Sequence, residues 1–317
     1  VIQKPKSNFR YDVNFNISFN RNKVLALGPN QTSFTTQGWS GVSGQPTDYI
    51  IKVGSPVSSM WGLVTDGFYK VDDFDYNSGT GQYTLKSGVV SDASIIGSAN
   101  VMPGAIKFKD LNNDGAVDID NDRTIIGNPN PKATGGLFQQ VTYKRWDLSL
   151  FMNFSIGNDV YNANKIEFTN GYTPNANLLA IMNDRWRVIT PDGQTAEWTN
   201  GTNAYGIAPD QLSALNANAK IWMPIKGAGA FYPSSWAMEN GSFLRFNNIT
   251  VGYTVPVKKV FSKLRLYLTA NNFAIVTNYS GYDPEVNVRY NNPLAQGLDY
   301  SAYPKSRSFI FGVNATF

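Results

Sequence analysis

The sequence predicts an all-β protein whose long antiparallel strands belong to a large membrane-spanning barrel. Three observations lead there. Apolar and polar residues alternate strictly over runs of about ten residues, the connections between these runs are very unequal in length, and no window of eighteen apolar residues exists. Alternation puts every second side chain on one face of a strand. A barrel strand needs only about 9–11 such residues, whereas a spanning helix needs about 20 consecutive apolar ones.

The first run sets Tyr11, Val13, Phe15, Ile17 and Phe19 against Asp12, Asn14, Asn16, Ser18 and Asn20. The second has Leu137, Val141 and Tyr143 on one face, and Lys144-Arg145 after it suits a tight hairpin. The third opposes Trp146, Leu148, Leu150, Met152, Phe154 and Ile156 to Asp147, Ser149, Asn153 and Ser155, with Phe151 out of pattern. From Phe243 to Tyr253 the phase changes at Asn247-Asn248, which predicts a β-bulge. Leu264, Leu266, Leu268 and Ala270 then alternate with Arg265, Tyr267, Thr269 and Asn271, and the chain ends on Phe309, Phe311, Val313, Ala315 and Phe317. A coarse count gives eight to ten strands.

A two-residue step at Lys144-Arg145 contrasts with about eighty residues between Gly157 and Gly241. Compact soluble domains rarely carry such loops, while outer-membrane barrels combine short periplasmic turns with long extracellular loops. Within that segment, residues 177–186 read as a short helix. A soluble β-sandwich with one buried face accounts for the alternation equally well. The loop asymmetry, the aromatics at strand ends and the terminal Phe favour the barrel.

Charged residues make up 16% of the 317, well below the roughly 25% of ordinary soluble domains, and the deficit is filled by Asn, Ser, Thr, Gly and Tyr. With no Cys and no His, thiolate nucleophiles, disulfides, His triads and Cys/His zinc sites are excluded. The formal charge of +4 carries no basic run with interleaved aromatics, so a nucleic-acid partner has no support. The opening Val1-Ile2-Gln3-Lys4-Pro5 has neither an initiating Met nor a signal region, which is expected of a piece that begins partway through something longer.

An ordered series of short motifs resembles the C-terminal portion of SusC/RagA-type TonB-dependent transporters. It comprises Asn20-Arg21-Asn22-Lys23-Val24, Val53-Gly54-Ser55-Pro56, Trp61-Gly62, Thr65-Asp66-Gly67-Phe68, Pro103-Gly104 and Lys107-Phe108-Lys109-Asp110-Leu111-Asn112-Asn113-Asp114-Gly115. Asp122-Arg123-Thr124-Ile125-Ile126-Gly127, Gly157-Asn158-Asp159-Val160-Tyr161-Asn162, Glu239-Asn240-Gly241-Ser242-Phe243, Tyr279-Ser280-Gly281-Tyr282-Asp283-Pro284-Glu285 and Tyr303-Pro304-Lys305-Ser306-Arg307 continue it. The resemblance implies that residues 1–317 are the C-terminal part of a barrel of about 22 strands. The plug and the N-terminal strands would lie outside this chain. Residues 106–127 would form a calcium-loop-like insertion in an extracellular loop, and residues 158–240 a long extracellular loop region.

The same resemblance implies an outer-membrane location in a Gram-negative, Bacteroidetes-type cell, with uptake of oligosaccharides or peptides. The implied partners are a SusD-like lipoprotein, the missing barrel and plug part, TonB acting through that part, and a second transporter–lipoprotein pair. A reading of another class is a soluble or surface-anchored carbohydrate-binding module stiffened by calcium.

Asp110, Asn112, Asp114 and Asp118 place oxygens at positions 1, 3, 5 and 9, with Gly115 at 6, as a calcium loop requires. The Ala116 carbonyl supplies position 7. Asn121 occupies position 12, so Asp122 is the displaced carboxylate. An Asp/Asn-rich turn bonding its own backbone is the other reading. Asp283 and Glu285 are the obvious paired carboxylates for glycoside hydrolysis, but nothing marks them as reactive, and no enzyme is expected. Trp186, Trp198, Trp222, Phe231, Tyr232 and Trp236 suit sugar stacking, a lipoprotein lid or packing within the loop.

Overall fold

The computed structural model describes residues 8–39, 45–170, 177–188, 207–225, 232–257 and 260–317. Trp198 and Phe231 lie outside the described residues. Six long strands form the wall: β1 (Phe9–Ser18), β2 (Ala133–Tyr143), β3 (Trp146–Ile156), β4 (Phe243–Val255), β5 (Lys263–Thr277) and β6 (Ser308–Thr316). They pair antiparallel in sequence order as one sheet, a sector of a barrel. The expected eight to ten strands reduce to six in the wall; the remaining strands, of two to five residues, build the connections.

Register carries one apolar stripe across all six strands. Phe15 pairs with Leu137, Leu137 with Met152, Leu148 with Val251, Val251 with Leu268 and Leu268 with Phe311. A slip of one residue in any pair would turn that strand's apolar set to the other face. The register shift in β4 falls between Phe246 and Asn248, where the sequence phase changes, and the extra residue returns Phe246 and Leu244 to the apolar side. Gln139 interrupts the stripe, and its Oε1 accepts the Tyr11 hydroxyl at 2.8 Å. Gly135 also sits there, and the Phe154 ring covers it.

Among the described residues no core covers this stripe. Phe9, Phe15, Phe309 and Phe311 are all more than half exposed, and none of the largest fully buried side chains belongs to a wall strand. A soluble sandwich would bury one face of such a sheet, whereas a lipid-facing barrel leaves it bare. No helix is long and apolar enough to cross a membrane among the described residues.

The two turns at one end are short: Tyr143 pairs with Trp146 across Lys144-Arg145, and residues 256–262 link β4 to β5. At the other end, residues 19–132, 157–242 and 278–307 make three long excursions. These hold the hydrophobic core. Tyr69, Phe74, Phe108 and Met102 from the first excursion pack with Met182, Trp186, Leu212 and Trp222 from the second. A second cluster joins Trp39, Met60, Tyr161, Ile166 and Leu298 from all three. Strand Asp159–Asn162 pairs with both Met238–Asn240 and Leu298–Asp299, locking the second and third excursions together. The helix expected over 177–186 is a 3₁₀ turn, Ala180–Asp184, because Leu179 and Arg185 on either side adopt extended backbone.

Leu150 lies mid-strand on the apolar stripe, between Gln139 and Ile249. Leu150→Lys is expected to cost about 2–4 kcal/mol if the stripe faces the bilayer midplane. The folded, heat-modifiable receptor in outer membranes should fall accordingly, while Ser149→Lys on the opposite face should be tolerated.

Candidate functional site at the polar face and mouth of the wall

The polar face is built from side chains that satisfy one another across strands. Arg265 of β5 reaches over β4 to Asp147 of β3 with contacts of 2.9 and 2.5 Å. It can do so because Gly252 lies beneath it, where any Cβ would strike the guanidinium. Thr250 and Thr269 share a hydroxyl bond at 2.8 Å, Asn248 donates to Asn271 at 2.7 Å, and Asn271 donates to Ser308 at 3.1 Å. Each group is held in a fixed orientation by a cross-strand partner.

At the mouth, where β1 to β5 run into the excursions, Arg245 of β4 is 4% exposed. Its Nη2 lies 2.5 Å from Asp283, itself 5% exposed, and its Nε lies 2.7 Å from Glu285, an ion pair off the hydrogen-bond line. Lys305 meets the same Glu285 at 2.8 Å. The two carboxylates singled out in the sequence are thus spent on one buried cation. They fix the third excursion over the wall, an arrangement suited to holding a loop rather than shuttling protons. Beside Pro284 and Glu285 is a cavity of about 400 Å³ bordered by Asn16, Thr134, Gly135, Asn153, Phe154, Ser155, Asn158 and Phe243.

In the 110–122 loop the acidic side chains bond their own backbone. Asp110 accepts the amides of Asn113 and Gly115 at 2.6 and 2.8 Å, and Asp114 accepts that of Ala116 at 2.9 Å. Asp118 accepts Asp120 and Asn121 at 2.8 and 2.7 Å, and these bonds, the Asn121 side chain foremost, lower its pKa. Asp122 is fully buried and ties both ends of the loop, accepting Leu111 and Asp118 at 2.7 Å each. Asn113 and Gly115 take left-handed φ of 62° and 92°. No three acidic side chains converge as a metal cage among the described residues. Carboxylates retain further lone pairs when they accept amides, so a cation would have to share these oxygens.

The aromatics of the second excursion are packed. Trp186 and Trp222 are buried, Trp222 meets Trp236 edge-on at 5.2 Å, and Trp186 packs on Phe68 at 5.4 Å over Gly104. Two further groups carried no sequence signal. Asp48 accepts the amides of Gly38 and Trp39 at 2.6 and 2.8 Å, and burial still raises its pKa to about 6. Asp92 accepts the Phe108 amide at 3.0 Å, its other oxygen has no partner, and burial raises it to about 7. Both sit in short runs of ordinary composition, and only the fold encloses them.

No family model matches the chain. Among curated proteins it is 28% identical to "TonB-dependent receptor P3" of Formosa agariphila over 98% of this chain and 27% of that protein. It is 26% identical to "TonB-dependent receptor SusC" of Bacteroides thetaiotaomicron over 98% of this chain and 24% of the relative. The chain resembles SusC/RagA-type receptors along its whole length. It spans about a quarter of the length of the curated relatives it matches. Among solved structures, the RagAB peptide importer in its closed-closed state superposes over 100% of this chain and 28% of that one, with TM-score 0.61 at 19% identity. A second RagAB peptide transporter structure gives 0.60 at 19% identity. The fold is therefore a sector of a SusC/RagA-like antiparallel barrel, and its place is the outer membrane of a Bacteroidetes-type cell. The bare apolar stripe faces lipid and the polar face looks into the lumen.

Removing one partner of the buried pair should be costly. Arg245→Leu leaves Asp283 buried without its cation, at about 3–5 kcal/mol, and adding Asp283→Asn should recover part of this. Heat-induced loss of folded receptor on electrophoresis checks both. Asp92 also sets a pH dependence. Its folded pKa exceeds the unfolded value of 3.8, so its contribution is full below about pH 4 and is lost as pH rises toward 7. Hydrogen exchange of the first excursion should therefore quicken from pH 4 to pH 7 after correction for intrinsic rates, and Asp92→Asn should flatten that trend.

Proposed function

We propose that this chain is the C-terminal barrel sector of a TonB-dependent outer-membrane importer that takes up oligosaccharides or peptides with a SusD-like lipoprotein. The observation that carries the reading is the sheet itself: an exposed apolar stripe across all six strands, an opposite face with many cross-strand polar bonds, and long folded excursions at one end. The named relatives support it, since two are called TonB-dependent receptors and the RagAB structure is that of a peptide importer.

In this reading the three excursions are extracellular, residues 158–240 among them, and the short turns face the periplasm. β1 and β6 each carry one unpaired edge in the sheet order. Unpaired backbone in hydrocarbon is costly, so the remaining strands of the receptor close the barrel against these edges. A plug, moved by TonB, would sit in the lumen. The cap offers the lipoprotein, and a second transporter–lipoprotein pair, a rigid surface.

Purification of the full receptor from its native membrane in detergent, followed by mass spectrometry, is the test. Co-recovery of a plug-containing segment and a lipoprotein is the expected result. Recovery of this chain alone from the soluble fraction would instead support the carbohydrate-binding module.

For the insertion at residues 106–127 we propose calcium held by Asp110, Asn112, Asp114, the Ala116 carbonyl, Asp118 and Asp122, in a structural role. Oxygen spacing supports it. Chelation of the purified receptor should lower its melting temperature, and added calcium should restore it. No response to chelation would leave the backbone bonds as the loop's only support.

A further inference from the structure

At the turn end of the wall, cations stand without a counter-charge. Lys144 and Arg145 form the two-residue turn between β2 and β3, and Lys263 opens β5. All three are exposed, and none makes an ion pair or a side-chain hydrogen bond among the described residues. The acidic side chains nearest along the strands are engaged elsewhere: Asp147 holds Arg265 and Asp12 holds Arg10. In sequence, the other turn, residues 256–262, has two lysines and no acidic residue.

The backbone fixes where the Lys144-Arg145 charges stand. The Lys144 amide donates to the Asn8 carbonyl at 2.8 Å, and the Thr254 amide donates to the Arg145 carbonyl at 2.8 Å, so strands on both sides hold the turn. The Lys144 Nζ lies 5.2 Å from the centre of the Tyr143 ring, and Tyr143 is on the apolar stripe, opposite Trp146. This ammonium therefore stands beside the lipid face of the wall and not in the lumen. Trp146 in turn meets Tyr253 of β4 at 4.7 Å on the same stripe. Aromatic rings gathered at the end of a barrel's apolar band mark the level of the lipid headgroups.

A basic side chain at that level keeps its charge in water and its stem against apolar surface. Each such charge beside an anionic lipid surface raises affinity about fivefold. Resting on the membrane orientation given under the proposed function, we propose that the Lys144-Arg145 turn binds the headgroup phosphate of an anionic phospholipid in the periplasmic leaflet. The acyl chains of that lipid lie along Tyr143, Trp146 and Tyr253. Charge selects the ligand: a zwitterionic lipid brings its own ammonium to two cations that already lack a counter-charge, whereas an anionic lipid neutralises them. The lean of Lys144 toward the apolar stripe selects a lipid over a water-borne acidic protein.

The test uses the full receptor reconstituted in phosphatidylcholine bilayers at low salt. Phosphatidylglycerol or phosphatidylcholine with brominated acyl chains is added, and quenching of tryptophan fluorescence gives the relative affinity of each lipid. The part of the signal lost in Trp146→Phe reports this site. Phosphatidylglycerol is expected to bind there at least about fivefold more tightly than phosphatidylcholine, and the preference should shrink as salt screens exposed charges. Lys144→Gln combined with Arg145→Gln should abolish the preference, and Lys144→Arg combined with Arg145→Lys should keep it. Lys132→Gln, at the mouth end, should leave it unchanged.

Equal affinity for the two lipids, a preference indifferent to salt, or one that survives the double glutamine variant would overturn the proposal. So would displacement of phosphatidylglycerol by inorganic phosphate beyond that by chloride at the same ionic strength, which would make the site one for free phosphate. Loss of TonB-dependent uptake in the glutamine variant with the lipid preference intact would assign the turn to a periplasmic protein and overturn it too. Uptake by wild-type cells is scored separately. TonB-dependent uptake without any lipid preference would sink this site alone, and lipid preference without TonB-dependent uptake would sink the importer reading alone.

Discussion

A sheet whose outer face is bare to hydrocarbon has no water to take up a missing backbone bond, so the cross-strand ladder must be complete wherever lipid reaches it. Nearly every feature of the wall follows from that demand. The six strands pair in sequence order with register that never lets the apolar stripe cross to the lumen. Where β4 carries one residue too many, a bulge absorbs it and the stripe resumes. Where a polar side chain stays on the lipid side, as Gln139 does, Tyr11 on the neighbouring strand satisfies it.

The same constraint divides the work between the ends of the molecule. A wall one sheet thick has no interior, so the apolar core sits in the excursions, where Trp39, Tyr49, Tyr161 and Leu298 pack as in a soluble domain. Rigidity at the mouth then comes from polar struts. Arg245 with Asp283 and Glu285, and Glu239 with Lys165, Asn162 and Ser280, tie separate excursions to one another and to the wall. Burial of such groups is costly unless each charge is matched, and here each is.

On the luminal side, small residues matter as much as polar ones. Gly252 and Gly312 leave space for Arg265 and Tyr267 to lie flat across neighbouring strands, which keeps the face shallow. The result is a surface rich in amides and hydroxyls, across which Arg265 and Asp147 pair between strands.

Much of this was legible in the residues. Period-two alternation fixed the strands from Phe9 to Thr316 and their lipid faces, and the phase change at Asn247-Asn248 located the bulge, because a strand's two faces meet different solvents. The count of eight to ten exceeds the six wall strands, since the other strands of the described residues, such as Tyr49–Lys52, are short and build the excursions. Residues 177–186 gave a helical period, but extended backbone at both ends limits them to one 3₁₀ turn. The calcium-like spacing of Asp110 to Asp122 was plain, yet spacing says nothing of whether the oxygens turn to a cation or to their own amides. The Arg245 strut, the buried Asp48 and Asp92, and the cavity at Asn16 and Thr134 join residues from about ten to hundreds of positions apart. Sequence alone determined which face of each strand meets lipid, since that is written in adjacent residues. Only the tertiary structure decided which charges cancel and what space remains, since those depend on the register that brings distant strands together.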